Sequence, residues 1–196
     1  MKAIIVYYSH SSNNEALAHE LKHRLGCDLL KIEEEKQRTG FTILLDLLFR
    51  RYPKIKKPNV FLSDYNTVVF ISPIWDAKIA TPLRTYIKMV REQIKNYAFI
   101  TVCSGREGQH EKIIKQLEQL TLKKPIIVTQ LVVSNLLPDQ QRNLTYYLLH
   151  PQIKEKNFQM VKKEIQHFVN TVYEYTSEFQ GTLPHVKEKS FVDQIV

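Results

Sequence analysis

The sequence predicts an α/β domain: a doubly wound parallel sheet of five strands with helices on both faces. Three observations carry this. Short apolar runs alternate with longer helix-periodic stretches along the chain. The runs are continuous rather than alternating, the pattern of strands buried on both faces of a parallel sheet, whose right-handed crossovers place helices on both sides. Finally, 196 residues with 43% hydrophobic and 24% charged side chains suffice for one sizeable core.

The elements follow in order. Ala3-Ile4-Ile5-Val6-Tyr7-Tyr8 is a β-branched and aromatic run, ended by the polar stretch Ser9 to Asn14. Glu15 to Gly26 reads as a helix, with Leu17, Leu21 and Leu25 on one stripe and Gly26 as its C-cap. Leu29 to Ile32 is a second, shorter strand, and Val68 to Pro73 a third, followed by a helix from about Pro82 to Gln93. Ala98 to Cys103 is the fourth strand, with a helix from about Glu111 to Leu120. Ile126 to Val133 is the fifth, and an amphipathic helix from about Phe158 to Tyr175 closes the pattern. Residues 1–180 are read as a single domain with an insertion at about 36–58, and 181–196 as a tail; Asn135 to Gln152 gives no clear element.

Charge and cysteine content narrow the class. Twenty-eight Lys and Arg against 20 Asp and Glu give a net charge of +8, which favours anionic partners. Cys27 and Cys103 are too few for a disulfide framework, and no window approaches a membrane span, so a cytoplasmic protein is expected. Nucleic acid is disfavoured as a partner, because aromatic residues are not interleaved with the basic ones on any evident strand surface.

In a doubly wound sheet, ligands bind outside the carboxyl ends of the strands at the topological switch point. The loops after the first, third and fourth strands are therefore the candidate site. In the first, Ser9, His10, Ser11, Ser12, Asn13 and Asn14 crowd hydroxyls and amides at a helix start, where backbone N–H groups lack intrahelical partners. Such a loop holds a phosphate without Lys or Arg. The alternative is an N-cap cluster with nothing bound. The loop is neither a P-loop nor a dinucleotide fingerprint, since it contains no glycine. In the second, Pro73, Ile74, Trp75, Asp76, Ala77 and Lys78 carry the only Trp of the chain, a stacking surface at the ligand edge. In the third, Ser104, Gly105, Arg106, Glu107 and Gly108 include glycines that allow close backbone approach to a flat ligand. A phosphate cradle, an aromatic plate and a glycine-bearing loop together suit a mononucleotide with a planar ring.

On these residues the sequence resembles the flavodoxin-like family of FMN proteins. Ile5 to Asn14 is similar to that family's first strand and S-x-T-G-N-T phosphate loop. Ser72-Pro73-Ile74-Trp75, followed by Thr81 to Tyr86, resembles its G-x-P-x-W-x-G segment and the next helix. Thr101 to Gly105 matches the loop that edges the flavin, and Gly40 to Lys56 resembles an insertion of one bacterial and archaeal branch. The likeness covers about residues 3 to 135.

The resemblance implies strand order 2-1-3-4-5 and FMN as cofactor. Ser9, Ser11, Ser12, Asn13 and Asn14 would hold the phosphate, and Pro73 to Lys78 with Ser104 to Gly108 would flank the isoalloxazine. It implies no catalytic side chain, because the cofactor carries the redox chemistry. The implied function is electron transfer or oxidoreduction between NAD(P)H or a reductase and a quinone-like or redox-protein acceptor, of the quinone-reductase type if the chain is an enzyme. The oligomeric state is left open. Ser12 and Ala77 stand at positions where the family has glycine, and a Cβ there costs about 1 kcal/mol if φ is positive. The rival reading is a flavin-free scaffold of the same fold that binds an acidic partner or a membrane surface through its basic insertion.

Other motifs point elsewhere and are weaker. His19-Glu20-Leu21-Lys22-His23 matches H-E-x-x-H, but both histidines fall away from the leucine stripe, on the solvent side. Cys103 is read as a small buried hydrophobe rather than a redox thiol. Phe41 to Arg51, apolar nearly all round if helical and followed by Lys54, Lys56 and Lys57, would suit an anionic membrane surface; packing on the domain with a solvated basic end is the favoured reading.

Overall fold

The computed structural model describes residues 2–35, 53–57, 59–136 and 155–181. Most of the insertion read at 36–58, the stretch 137–154 and the tail from 182 lie outside the described residues. The main sheet has five strands: β1 (Ala3–Tyr7), β2 (Asp28–Lys31), β3 (Thr67–Ile71), β6 (Asn96–Cys103) and β7 (Val128–Val132). They pair in parallel in the order β2-β1-β3-β6-β7, which is 2-1-3-4-5 counted within this sheet. The remaining strands, β4 (Ile74–Trp75) and β5 (Lys78–Ile79), form a separate antiparallel hairpin after β3. The sequence predicts a plain loop there, and the hairpin corrects it.

Among the described residues the helices are α1 (Asn13–Leu25), α2 (Thr81–Val90), α3 (Gln109–Thr121), the single turn α4 (Val133–Leu136) and α5 (Lys162–Gly181), with 3₁₀ segments at Leu62–Asp64, Arg91–Gln93 and Glu155–Val161. Strand alternation splits the core in two. Ile5 and Tyr7 of β1 point to one face, where Leu17, Leu21 and Leu25 of α1 pack with Ile165, Phe168 and Val172 of α5. Ile4, Val6 and Tyr8 point to the other, against Leu83 and Tyr86 of α2 and Ile113 and Leu117 of α3. Helices thus cover both faces. The central strands β1 and β3 are buried at every position, whereas the edge strand β2 is half-exposed.

Gly26 ends α1 in the left-handed region, φ 57°, and its N–H bonds the Lys22 carbonyl. This is the C-cap the sequence predicts. His19 and His23 are exposed, on the opposite side of α1 from its buried leucines.

Candidate functional site

All three predicted loops lie at the carboxyl edge of the sheet, around the switch point between β1 and β3. The first runs from the end of β1 into α1. Ser12 adopts φ 65°, and its side chain makes no capping hydrogen bond to the helix it precedes. The N-cap alternative therefore loses its main support, since Ser at an N-cap ordinarily accepts from the first turn. The Ser9 hydroxyl is buried and has no hydrogen-bond partner, a vacant donor at the base of the loop. His10, Ser11 and Ser12 are exposed, whereas Asn13 and Asn14 are buried.

Asn14 has a structural task. Its Nδ2 donates to the Val102 carbonyl at 3.2 Å, and its Oδ1 accepts from the Val102 N–H at 2.9 Å. This two-point bond ties the start of α1 to β6, so Asn14 can offer a ligand its backbone N–H but not its side chain. Glu15 would set a negative charge in the first turn. Lys31 at the end of β2 reaches it at 2.6 Å and Tyr7 donates to it at 2.8 Å, and the Lys31 ammonium is the main cause holding its carboxyl below the usual range. The carboxylate closest to an anion at this loop is thus paired.

The hairpin carries the second set. Its central residues both take positive φ, Asp76 at 48° and Ala77 at 55°, as the mirror-image type I′ turn requires. The condition attached to Ser12 and Ala77 is met at both: each stands in the left-handed region that favours glycine. Ala77→Gly is expected to stabilise the chain by about 0.5–1 kcal/mol, the relief of Cβ strain exceeding the added unfolded-state entropy. Thermal unfolding would show a rise of about 2 °C. No change, or a fall, would mean that this turn is unstrained.

Pro73 and Ile74 lead into the hairpin half-buried, and the Pro73 carbonyl accepts from the Ala80 N–H at 3.1 Å, closing its base. Trp75 is half-buried, packed on the second core cluster, and meets two rings edge to face: Tyr8 at 5.9 Å and His10 at 6.3 Å. The sole tryptophan therefore joins the first loop to the hairpin. Lys78 is exposed opposite Trp75 in the hairpin register.

The third loop joins the hairpin through Arg106, whose Nη1 lies 3.0 Å from Asp76 Oδ1. Ser104, Glu107 and Gly108 are exposed, and Gly105 is half-buried. Gly105 takes φ 72°, and a Cβ built on it would stand 2.9 Å from Val132 Cγ1. Behind the loop Cys103 is buried, where Gln109 Nε2 donates to its sulfur at 3.4 Å and to Gln130 Oε1 at 2.6 Å. Burial pushes the Cys103 thiol up, so it stays a neutral SH rather than a nucleophile.

Several contributors escape a local sequence reading. Gln116 of α3 donates to the Ala77 carbonyl at 2.9 Å and accepts from the Ile79 N–H at 3.2 Å, clamping the hairpin from a helix 39 and 37 residues away. Its place among the polar residues of an amphipathic helix gives no signal of this. Tyr8, read only as the end of a strand, donates to Glu34 at 2.6 Å beside Trp75. Glu34 in turn bridges Ile55. The described chain on either side of residues 36–52 therefore lies beside the site, at its β2 edge.

The strand order, the two-sided helical cover and a polar loop at the first switch point define a flavodoxin-like fold. No family model and no curated protein matches the chain. Solved structures do. A flavoprotein in complex with FMN from Lactobacillus acidophilus NCFM superposes with a TM-score of 0.58 at 18% identity, covering 66% of this chain and 92% of that one. The apo-form of the flavoprotein from the same organism gives 0.55 at 18%, with 66% and 91% covered. A candidate flavoprotein from Bacteroides eggerthii DSM 20697 gives 0.58 at 15%, with 77% and 98% covered. At these identities the likeness establishes the fold.

Proposed function

We propose that this chain binds FMN at the carboxyl edge of its sheet and serves in electron transfer or oxidoreduction. The observation that carries the reading is the Ser9 hydroxyl, buried without a partner at the base of the first loop. A native fold rarely leaves a buried donor unmatched, and a phosphate oxygen would satisfy it. Three further features support it. Ser12 leaves its hydroxyl off the helix end, and the first turn of α1 presents backbone N–H groups with the positive end of its dipole. Trp75 and the 104–108 loop offer a ring and close-approaching backbone for a planar group. One of the solved neighbours is itself a complex with FMN.

In this reading Ser9, Ser11, Ser12 and Asn13, with the Asn14 N–H, hold the phosphate. His10, Pro73 to Lys78 and Ser104 to Gly108 surround the isoalloxazine. Bound there, FMN would supply one- and two-electron redox chemistry. The side chains around it orient the ring and limit water at its edge, and none is needed as an acid or base. The electron donor is NAD(P)H or a reductase, and the acceptor a quinone-like compound or a redox protein.

Trp75→Ala tests the ring position. Removing an aromatic contact of this kind costs about 0.5–1.5 kcal/mol, so the FMN dissociation constant should rise roughly three- to tenfold. Equal dissociation constants for variant and parent would defeat this placement. NADH and NADPH oxidation by the FMN-loaded protein, with a benzoquinone acceptor, tests the activity. No oxidation with either nucleotide would leave a reductase as the donor.

A further inference from the structure

We propose that the open cleft between the β4–β5 hairpin, the 104–108 loop and α3 docks an acidic face of a protein partner. The cleft encloses about 470 Å³ and is edged by Lys78, Arg106, Lys112 and Lys115, with Asp76 and Glu107 as its carboxylates. Asp76 is engaged by Arg106, and the three lysines have no carboxylate partner among the described residues. Lys112 and Lys115 lie three residues apart on α3, beside the Gln116 that clamps the hairpin, so one exposed stripe of that helix continues into the hairpin.

The lining decides between a small ligand and a macromolecule. Small-molecule sites are mostly apolar and aromatic, with a few polar groups. Here, among the described residues, Ala77 is the only apolar side chain lining the cleft, its remaining apolar surface is the alkyl stems of long charged and amide side chains, no ring is present, and the cations are exposed. That composition matches the charged rim of a protein interface, where complementary charge steers association. The hairpin and the 104–108 loop wall both this cleft and the candidate flavin site, so a docked protein would sit at the flavin edge. That the partner is a redox protein rests on the function proposed above; that its surface is acidic rests on the charges of the cleft alone.

The test uses the full chain, with and without added FMN, and a fluorescein-labelled deca-glutamate peptide as probe, followed by fluorescence anisotropy. Binding is expected at 50 mM KCl in both forms and should weaken markedly at 300 mM. Replacing both cleft lysines (Lys112→Gln with Lys115→Gln) should weaken it about three- to tenfold. The same change at Lys162 and Lys163, exposed on α5 across the sheet, should alter it less than about twofold. Equal losses from the two pairs would mean only general attraction to a +8 protein and overturn the proposal. So would displacement of the peptide by NADPH, with NADPH binding lost in the Lys112/Lys115 variant, which would reassign the cleft to a phosphate-bearing nucleotide. FMN uptake is read separately by quenching of flavin fluorescence, so failure of the flavin reading leaves the peptide result standing.

Discussion

Gly105→Ala is expected to destabilise the protein by about 2–3 kcal/mol, the sum of left-handed backbone strain and a forced displacement in the packing. The two contributions are separable. Gly105 sits at φ 72° with Val132 Cγ1 and Cγ2 at 2.9 and 3.0 Å from the position of a Cβ. Gly108, in the same loop, sits at φ 62° with nothing within 4 Å. Gly108→Ala should therefore cost only the backbone share, about 1 kcal/mol. Valine is stiff at χ1, so Val132 yields by moving its strand rather than by turning its side chain. Adding Val132→Ala to Gly105→Ala should make the pair less costly than the sum of the singles, because the clash has been removed. Urea unfolding of the four variants measures this. A Gly105→Ala effect no larger than that of Gly108→Ala would mean the loop packs elsewhere than against β7.

The second large effect is discrimination between FMN and riboflavin, which differ by the phosphate. A phosphate at the first loop would accept a charge-assisted hydrogen bond from the Ser9 hydroxyl and further ones from the serine-rich loop, and would lie in the field of the α1 N-terminus. Hydrogen bonds to charged groups contribute about 1.5–3 kcal/mol each, so two such bonds favour FMN by roughly 100-fold at the low end and 20,000-fold at the high end. Ser9→Ala should weaken FMN binding about ten- to 150-fold and leave riboflavin binding unchanged. The same substitution should not destabilise the ligand-free protein, because the hydroxyl it removes is buried without a partner. A side chain whose loss harms binding while sparing stability is held for a ligand. Equal affinities for FMN and riboflavin would mean that the loop holds no phosphate.

The fold was legible because its strands are unbroken apolar runs and its helices carry clear stripes. The Leu17, Leu21 and Leu25 stripe lies in the core, and Gly26 caps the helix as its position predicts. The hairpin was not legible. Ile74-Trp75 and Lys78-Ile79 are two-residue strands, too short for a period to show, and Asp76-Ala77 lacks the glycine that ordinarily announces a mirror-image turn. Of the candidate site, the three loops converge as topology demands, His10 on Trp75 and Asp76 on Arg106. What the sequence hid are side chains whose partners are distant in the chain. Asn14 reads locally as a helix-start residue, but its hydrogen bonds lie 88 residues on, at Val102. Gln116 likewise holds the hairpin, and Gln109 ties the start of α3 to Gln130 of β7, from positions that sequence periodicity marks only as polar or buried.

The most direct measurement is an absorbance spectrum of the purified chain, taken as isolated and again after FMN addition and desalting. The account predicts flavin bands that stay with the protein at about one FMN per chain, one for the proposed site. A colourless protein that sheds all added FMN would contradict it, and would mean that the strained Ser12 and Ala77 turns belong to a fold without its flavin.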